Sequence, residues 1–404
     1  MQIKRLVFAL LSKQIYFLTS IGILLLSFYF LNPEEYYIYG SVALTFLFLR
    51  NIIDSVGMQL YIKYSFDIFS SKIIVFLFFV NCIVFLSLDH TYSENSYIFI
   101  SLLLSYYLVS QSSIYIYTLN SSSSFLKYNL IISVSELASF LVFLLFRESI
   151  FLAVILKNVS YFAIQKFLLS FVVAPGNQSL KKSGTVEFEH CLFFIFNYYS
   201  KNLDKIFVSS FFGNTAFVFY ERTLAIIRMA ISLFSFSIAP ALLINLKEVR
   251  EERLFSHYLR YQQTFFLLGL IVIAFYTLTI DYVKQVVSND WMDIFLYLDC
   301  LIFSIPIMLM VGNTSQFLLN ESKTRLNLVS AILSFAVFII YVILVSYLTE
   351  NVLILVKYMF IPFFINLIQI NYIYVVMIRK SRLKSYVLSV LFQVFYILGL
   401  LVWN

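Results

Sequence analysis

Six ionisable residues crowd two adjacent apolar stretches: Lys201, Asp204 and Lys205 in the first, Glu221, Arg222 and Arg228 in the second. Only Gly213-Asn214 separates the stretches, so their registers can be compared. At about 1.5 Å of rise per helical residue, Lys205 and Arg222 each lie ~13 Å from that turn, with Asp204 at nearly the same depth. Arg228 lies ~22 Å down by the same arithmetic, level with Tyr199. Charge near the middle of a bilayer is costly and usually faces a partner, water or a ligand. The simplest arrangement is an ion pair, Asp204 with Arg222 or Lys201, that pins two helices together. It still leaves positive charge over, because Lys201, Lys205, Arg222 and Arg228 face only Asp204 and Glu221. A buried cation without a counter-charge costs several kcal/mol. The surplus therefore favours a cavity that accepts an anion.

Other chemistry-bearing residues are more scattered. Arg50 and Asp54 are four apart on one helix face, where they can pair with each other. Glu136 lies ~12 Å into its stretch, with no cation close in sequence; it is a candidate coupling-ion or proton site, or a hydrogen-bonded neutral acid. Lys157 and Lys357 lie ~10 Å from the nearer surface, within reach of water. Cys82, Cys191 and Cys300 occur singly, and His90, His190 and His257 are dispersed. No spacing suits a metal, and no cofactor motif is present.

The elements that must position these residues are membrane helices. Of the 404 residues, 61% are hydrophobic and 12% charged, far more apolar surface than a water-soluble chain of this size needs. A helix needs ~20 apolar residues to cross a bilayer core. The sequence predicts spans at 14–31, 36–58, 72–88, 96–118, 128–146, 150–173, 190–212, 215–244, 262–281, 294–319, 326–348, 351–378 and 386–402. Lys and Arg gather in every second gap, from Lys63 and Lys72 to Arg379, Lys380, Arg382 and Lys384, while the opposite gaps hold only Arg147 and Lys284. The positive-inside rule then puts the N-terminus in the cytoplasm. The net charge of +7 is mostly this loop bias, not a basic face for nucleic acid. The first span lacks a cleavage site and reads as retained. The aromatic residues suit lipid-facing and interfacial positions, Tyr36, Tyr37 and Tyr39 among them.

The one stretch combining Pro, Gly, Ser and a charge run, APGNQSLKKSGTVE, follows the sixth span. It divides the chain into a six-helix half at 1–174, a cytoplasmic linker at 175–187 and a second six-helix half at 188–378. A basic loop and an extra helix follow at 379–404. The expected fold is all-α and polytopic: twelve transmembrane helices in two halves plus a thirteenth. Transporters built from repeats bind substrate between their halves. Pro240, Pro306 and Pro362 fall within spans of the second half only, where they shape packing or gating.

The run Asn197-Tyr198-Tyr199-Ser200-Lys201-Asn202-Leu203-Asp204-Lys205-Ile206-Phe207-Val208, then Phe212-Gly213-Asn214, Phe219-Tyr220-Glu221-Arg222 and Ile238-Ala239-Pro240 resembles the polysaccharide-repeat (O-antigen) flippases. These Wzx-type proteins belong to the multidrug/oligosaccharidyl-lipid/polysaccharide exporter superfamily. The layout, the orientation and the short outer loops are similar over nearly the whole chain. The thirteenth span departs from the usual twelve. The resemblance implies a bacterial inner-membrane protein that moves an undecaprenyl-pyrophosphate-linked oligosaccharide across the bilayer by alternating access through a cationic cavity. It implies headgroup contacts from Lys201, Lys205, Arg222, Arg228 and Arg50. Asp204, Glu221, Glu136 and Asp54 would serve as coupling or ion-pair groups. Its partners would be the lipid-linked oligosaccharide, membrane lipid and other polysaccharide-assembly membrane proteins, with no nucleic acid and no cofactor.

Two other classes compete. A polysaccharide polymerase or membrane glycosyltransferase would carry a large outer loop, and the longest here, Asp281 to Asp293, has no catalytic constellation. A drug exporter of the same superfamily would hold a more acidic cavity for cationic substrates. A major-facilitator transporter would show a Gly- and Arg-rich motif after the second span, which Gln59 to Lys72 lacks.

Overall fold

The computed structural model describes residues 2–37, 39–40, 122–172, 188–248, 251–285, 287–320, 324–349, 351–378, 391 and 394–399. Among the described residues there are helices, turns and loops, and no strand. The chain divides into two compact units, Met1–Tyr198 and Tyr199–Asn404. The expected spans 72–88 and 96–118, nearly all of 36–58, the linker 175–187 and most of 386–402 lie outside the described residues, as do Arg50 and Asp54.

In the first unit, α1 (Gln2–Phe30) packs on α2 (Ser122–Leu145), and α2 on α3 (Ile150–Val172). The helix α1 begins well before the apolar span expected at 14–31, because lipid thickness limits the apolar stretch and not the helix that carries it. The chain then turns on a capping box. Asn32 Oδ1 accepts from the Glu35 N–H at 2.8 Å, and Glu35 Oε2 accepts from the Asn32 N–H at 3.1 Å. Pro33 stands where a helix tolerates it, in the first turn. Arg147, in the α2–α3 turn, donates to the Phe30 carbonyl at 2.6 Å, placing a cation at the C-terminus of α1.

The long helix α4 (Phe188–Glu248) is broken once, at Gly213, whose φ of 84° and ψ of 177° are not helical. That combination is essentially open to glycine alone. It folds α4 into two arms, which cover the stretches expected at 190–212 and 215–244. The second unit continues through α5 (Glu251–Lys284), a 3₁₀ turn at Asn289–Trp291, α6 (Ile294–Leu301), a 3₁₀ turn at Ile302–Ser304, α7 (Ile305–Asn320) and α8 (Thr324–Leu348). It closes with α9 (Val352–Lys357), α10 (Phe360–Tyr372) and a π-helical turn at Ile373–Ile378. Among the described residues, four stretches are long and apolar enough to cross a membrane: Phe255–Lys284, Asn289–Gly312, Leu328–Leu348 and Val352–Met377. This is a helical membrane protein. On α5, Leu267, Ile271, Phe275, Leu278 and Tyr282 form one exposed stripe, the apolar face that lipid covers.

Two interruptions in these spans trace to proline. A proline lacks an N–H and its ring crowds the carbonyl four residues back. For Pro306 that carbonyl is Ile302's, where the 3₁₀ turn begins; for Pro362 it is Tyr358's, where α9 stops. The displaced backbone groups are bonded again nearby. The Ile305 N–H turns to the Ile302 carbonyl, and Ser304 Oγ donates to the Leu301 carbonyl at 2.6 Å. The Met359 N–H bonds Val356 and not Leu355, and the Tyr341 hydroxyl donates to the Leu355 carbonyl at 2.6 Å. Pro306 also sets the α5–α7 crossing: a Cβ at Gly269 would lie 2.4 Å from Pro306 Cα, so only glycine permits that approach.

Candidate functional site

The two arms of α4 fold back on each other about Gly213. Lys205 precedes the glycine by eight residues and Glu221 follows it by eight. Antiparallel helices meeting at this turn bring the two to one level, and Lys205 Nζ lies 3.0 Å from Glu221 Oε1. One residue along, the Tyr220 hydroxyl donates to Asp204 Oδ2 at 2.7 Å. Further from the turn, Arg228 donates to Asn202 Oδ1 at 3.4 Å. Among the described residues, Arg228 and Lys205 lie within electrostatic reach of Asp204. Asp204, Lys205 and Arg222 are 5%, 3% and 4% exposed, so charges the sequence places near mid-bilayer are also closed in by protein.

Arg222 lies against aromatic surface. Its Cζ is 6.0 Å from the centre of the Trp291 ring. Trp291 is fully buried and meets Phe219 edge-on, with centroids 6.1 Å apart. Phe219 in turn packs on Tyr297 at 5.9 Å. Phe219 and Arg222 are three apart on the second arm, hence on one face, and Trp291 covers that face.

The sequence suggested an ion pair of Asp204 with Arg222 or Lys201. Among the described side chains, Lys205 pairs with Glu221 and Asp204 accepts from the Tyr220 hydroxyl. Lys201 lies on the first arm, but its side chain is not among those described. The described layer holds Lys205, Arg222 and Arg228 against Asp204 and Glu221, an excess of one positive charge. No metal-binding cluster of His, Cys, Asp and Glu occurs among the described residues. Trp291 escaped the sequence reading because it stands in an acidic loop. Its signal was rarity, since the chain has only 2 tryptophans.

In the first unit, Glu136 has a cation that sequence distance concealed. The α2–α3 hairpin brings Lys157 into electrostatic contact with it. The Lys157 ammonium also sits 4.1 Å over the Tyr39 ring. Asn158, next to Lys157, and Gln165 are both 4% exposed, and Asn158 Nδ2 and Gln165 Oε1 have no hydrogen-bond partner. In the second unit the Tyr276 hydroxyl donates to Asp299 Oδ1 at 2.6 Å. Tyr258 and Gln262 of α5 both donate to Asn371 Oδ1, beside the π-helical turn, while Tyr258 stacks on Tyr374 at 4.4 Å. No protein-family model, no curated protein and no solved structure matches this chain.

Proposed function

We propose that this chain flips an undecaprenyl-pyrophosphate-linked oligosaccharide repeat from the inner to the outer leaflet of a bacterial plasma membrane, by alternating access. One observation carries the reading: among the described residues, the α4 hairpin holds Lys205, Arg222 and Arg228 beside Asp204 and Glu221, with Asp204, Lys205 and Arg222 buried. Excess positive charge in an otherwise apolar helix pair is best offset by an anion that comes and goes. A pyrophosphate suits it, and a guanidinium binds phosphate oxygens through two parallel N–H bonds. The polyprenyl tail stays in lipid while the headgroup passes.

The residues divide the work. Lys205 is neutralised by Glu221 at 3.0 Å, so its part is to hold the hairpin. Arg228 leans on Asn202 and on the charge of Asp204. Arg222, lodged against Trp291, is given the headgroup. Neutralising Arg222→Gln removes charge-assisted hydrogen bonds of about 1.5–3 kcal/mol each, and should cut surface polysaccharide about tenfold or more. The protein should still insert at its normal level. Arg222→Lys keeps the charge without the fork and should retain part of the activity. Polysaccharide at the wild-type level in Arg222→Gln cells, measured by gel staining of cell-surface extracts, rules the headgroup role out.

A further inference from the structure

The helix α5 changes character at Gly269. Before it, Tyr258, Gln262 and Phe265 are buried, and the glycine is buried with them. After it, no residue from 270 to 284 is buried, and Phe275, Leu278 and Tyr282 are 68%, 75% and 73% exposed. The side-chain contacts divide in the same way. Tyr258 and Gln262 donate to Asn371 Oδ1, and the Phe266 ring meets Tyr396. Beyond the glycine, Thr277 and Thr279 turn their hydroxyls back to carbonyls of α5 itself, at 2.9 and 2.8 Å. Among the described hydrogen bonds and ring contacts, two side chains there reach another element, and both reach α6. Tyr276 donates to Asp299 Oδ1 at 2.6 Å, and the Lys284 ammonium lies 5.6 Å from the centre of the Phe295 ring.

Gln262 and Tyr276 stand seven residues before and seven after Gly269. Seven residues make almost two helical turns, so the three share one face, with ~10.5 Å from each to the next. That face meets Asn371 at Gln262, Pro306 of α7 at Gly269 and Asp299 of α6 at Tyr276. At the middle point a Cβ on Gly269 would lie 2.4 Å from Pro306 Cα and 2.9 Å from its Cγ. Backbone therefore rests on a proline with no side chain of α5 interlocking there. Glycine is also a weak point in a helix, having the most backbone freedom. We infer that residues 270–284 of α5 tilt about the Gly269–Pro306 crossing while 255–268 stay fixed, and that the Tyr276–Asp299 bond is the catch that holds them against α6. The catch can release. Asp299 is exposed, although it stands ~15 Å into the membrane-length stretch Asn289–Gly312. A carboxylate at that depth calls for water or a partner. Water that wets Asp299 takes the place of the Tyr276 hydroxyl when the segment swings away. Tyr258, Gln262 and Asn371 are buried and have no such substitute, so that end of α5 holds. The tilt is independent of the substrate carried, and it supplies what alternating access requires: a helix that moves at one end and holds at the other.

The test measures movement alone. In the full chain with Cys82, Cys191 and Cys300 changed to Ser, spin labels are placed at Leu278→Cys on α5 and Ile340→Cys on α8, both exposed positions. A second pair joins Gln263→Cys, exposed on the fixed part of α5, to the same site on α8. Leu278 lies ~13 Å along the helix from Gly269, so a tilt of about 20° displaces it by about 5 Å. Double electron–electron resonance in lipid nanodiscs should give the Leu278 pair a second distance and the Gln263 pair a single one. Tyr276→Phe keeps the ring and removes the donor, and should raise the tilted population about three- to twenty-fold. Asp299→Asn keeps an acceptor and should raise it less. One unchanging distance for the Leu278 pair, with and without Tyr276→Phe, overturns the tilt. A matching shift in the Gln263 pair also overturns it, because α5 then moves as one rod. Two distances whose ratio Tyr276→Phe does not alter overturn the catch.

Discussion

The Lys205–Glu221 pair places a full charge on each arm of α4, and at 3.0 Å in a buried layer the two are strongly interdependent. Removing one partner of a buried pair costs about 3–5 kcal/mol, because the other charge is stranded. Lys205→Glu or Glu221→Lys alone should therefore lower the amount of folded protein in the membrane several-fold. The double swap should recover most of it, as read by thermal unfolding in detergent. A swap as damaging as either single change would mean that the pair does not hold the hairpin. The depth of these charges was legible in the sequence; their partners were not. Asp204 and Lys205 are neighbours whose side chains leave the helix about 100° apart. Which of them meets Glu221 and which meets Tyr220 depends on rotation about the helix axis, and spacing alone does not carry that angle. The same holds for Glu136, whose cation lies on the next helix.

At the level of the element, proline in a span becomes a local rearrangement whose carbonyls find new donors. The Tyr341 hydroxyl on α8 takes the Leu355 carbonyl, tying α8 to the end of α9. Tyr341→Phe should destabilise the second unit by about 0.6–1.7 kcal/mol, the range of side-chain hydrogen bonds inside membranes. The effect should shrink when Pro362→Ala is also present, because a repaired helix gives Leu355 its ordinary backbone partner. Additive losses in the double-mutant cycle would mean that the two are independent. Sequence placed the prolines in the right spans but not the turns they cause, since the disturbed carbonyl lies four residues back. It missed the Gly269–Pro306 approach altogether, because the two residues belong to different helices and carry no shared signal.

For the whole molecule, hydropathy was the strongest guide, and it found each of the four described membrane-length stretches. Helix ends were less legible. The expected start at 262 proved to be the apolar portion of α5, which begins at Glu251. Polar residues continue a helix into the headgroup region at no cost. The thirteenth helix expected at 386–402 lies mostly outside the described residues; within 394–399, Tyr396 donates to the Phe303 carbonyl at 2.8 Å and meets the Phe266 ring edge-on. If 386–402 crosses the membrane, a reporter fused after Asn404 should be active on the side opposite Arg379–Lys384. Activity only on the cytoplasmic side would place 386–402 in the interface.

Gly213 also bears on how the protein is made. A charged residue at the centre of a spanning helix opposes insertion by about 2.5–3.5 kcal/mol, and each arm of α4 carries more than one. Entering singly, either arm would leave the translocation channel with its charges exposed to lipid. A one-residue turn lets the arms emerge together, with Lys205 already facing Glu221 and Asp204 facing Tyr220. The hairpin, not the helix, is then the unit of biosynthesis. A chain truncated after Gly213 should fail to integrate its first arm in a glycosylation-mapping assay. One continued to Glu248 should integrate both, and lengthening the turn by a single residue should undo that gain by rotating every pair out of register.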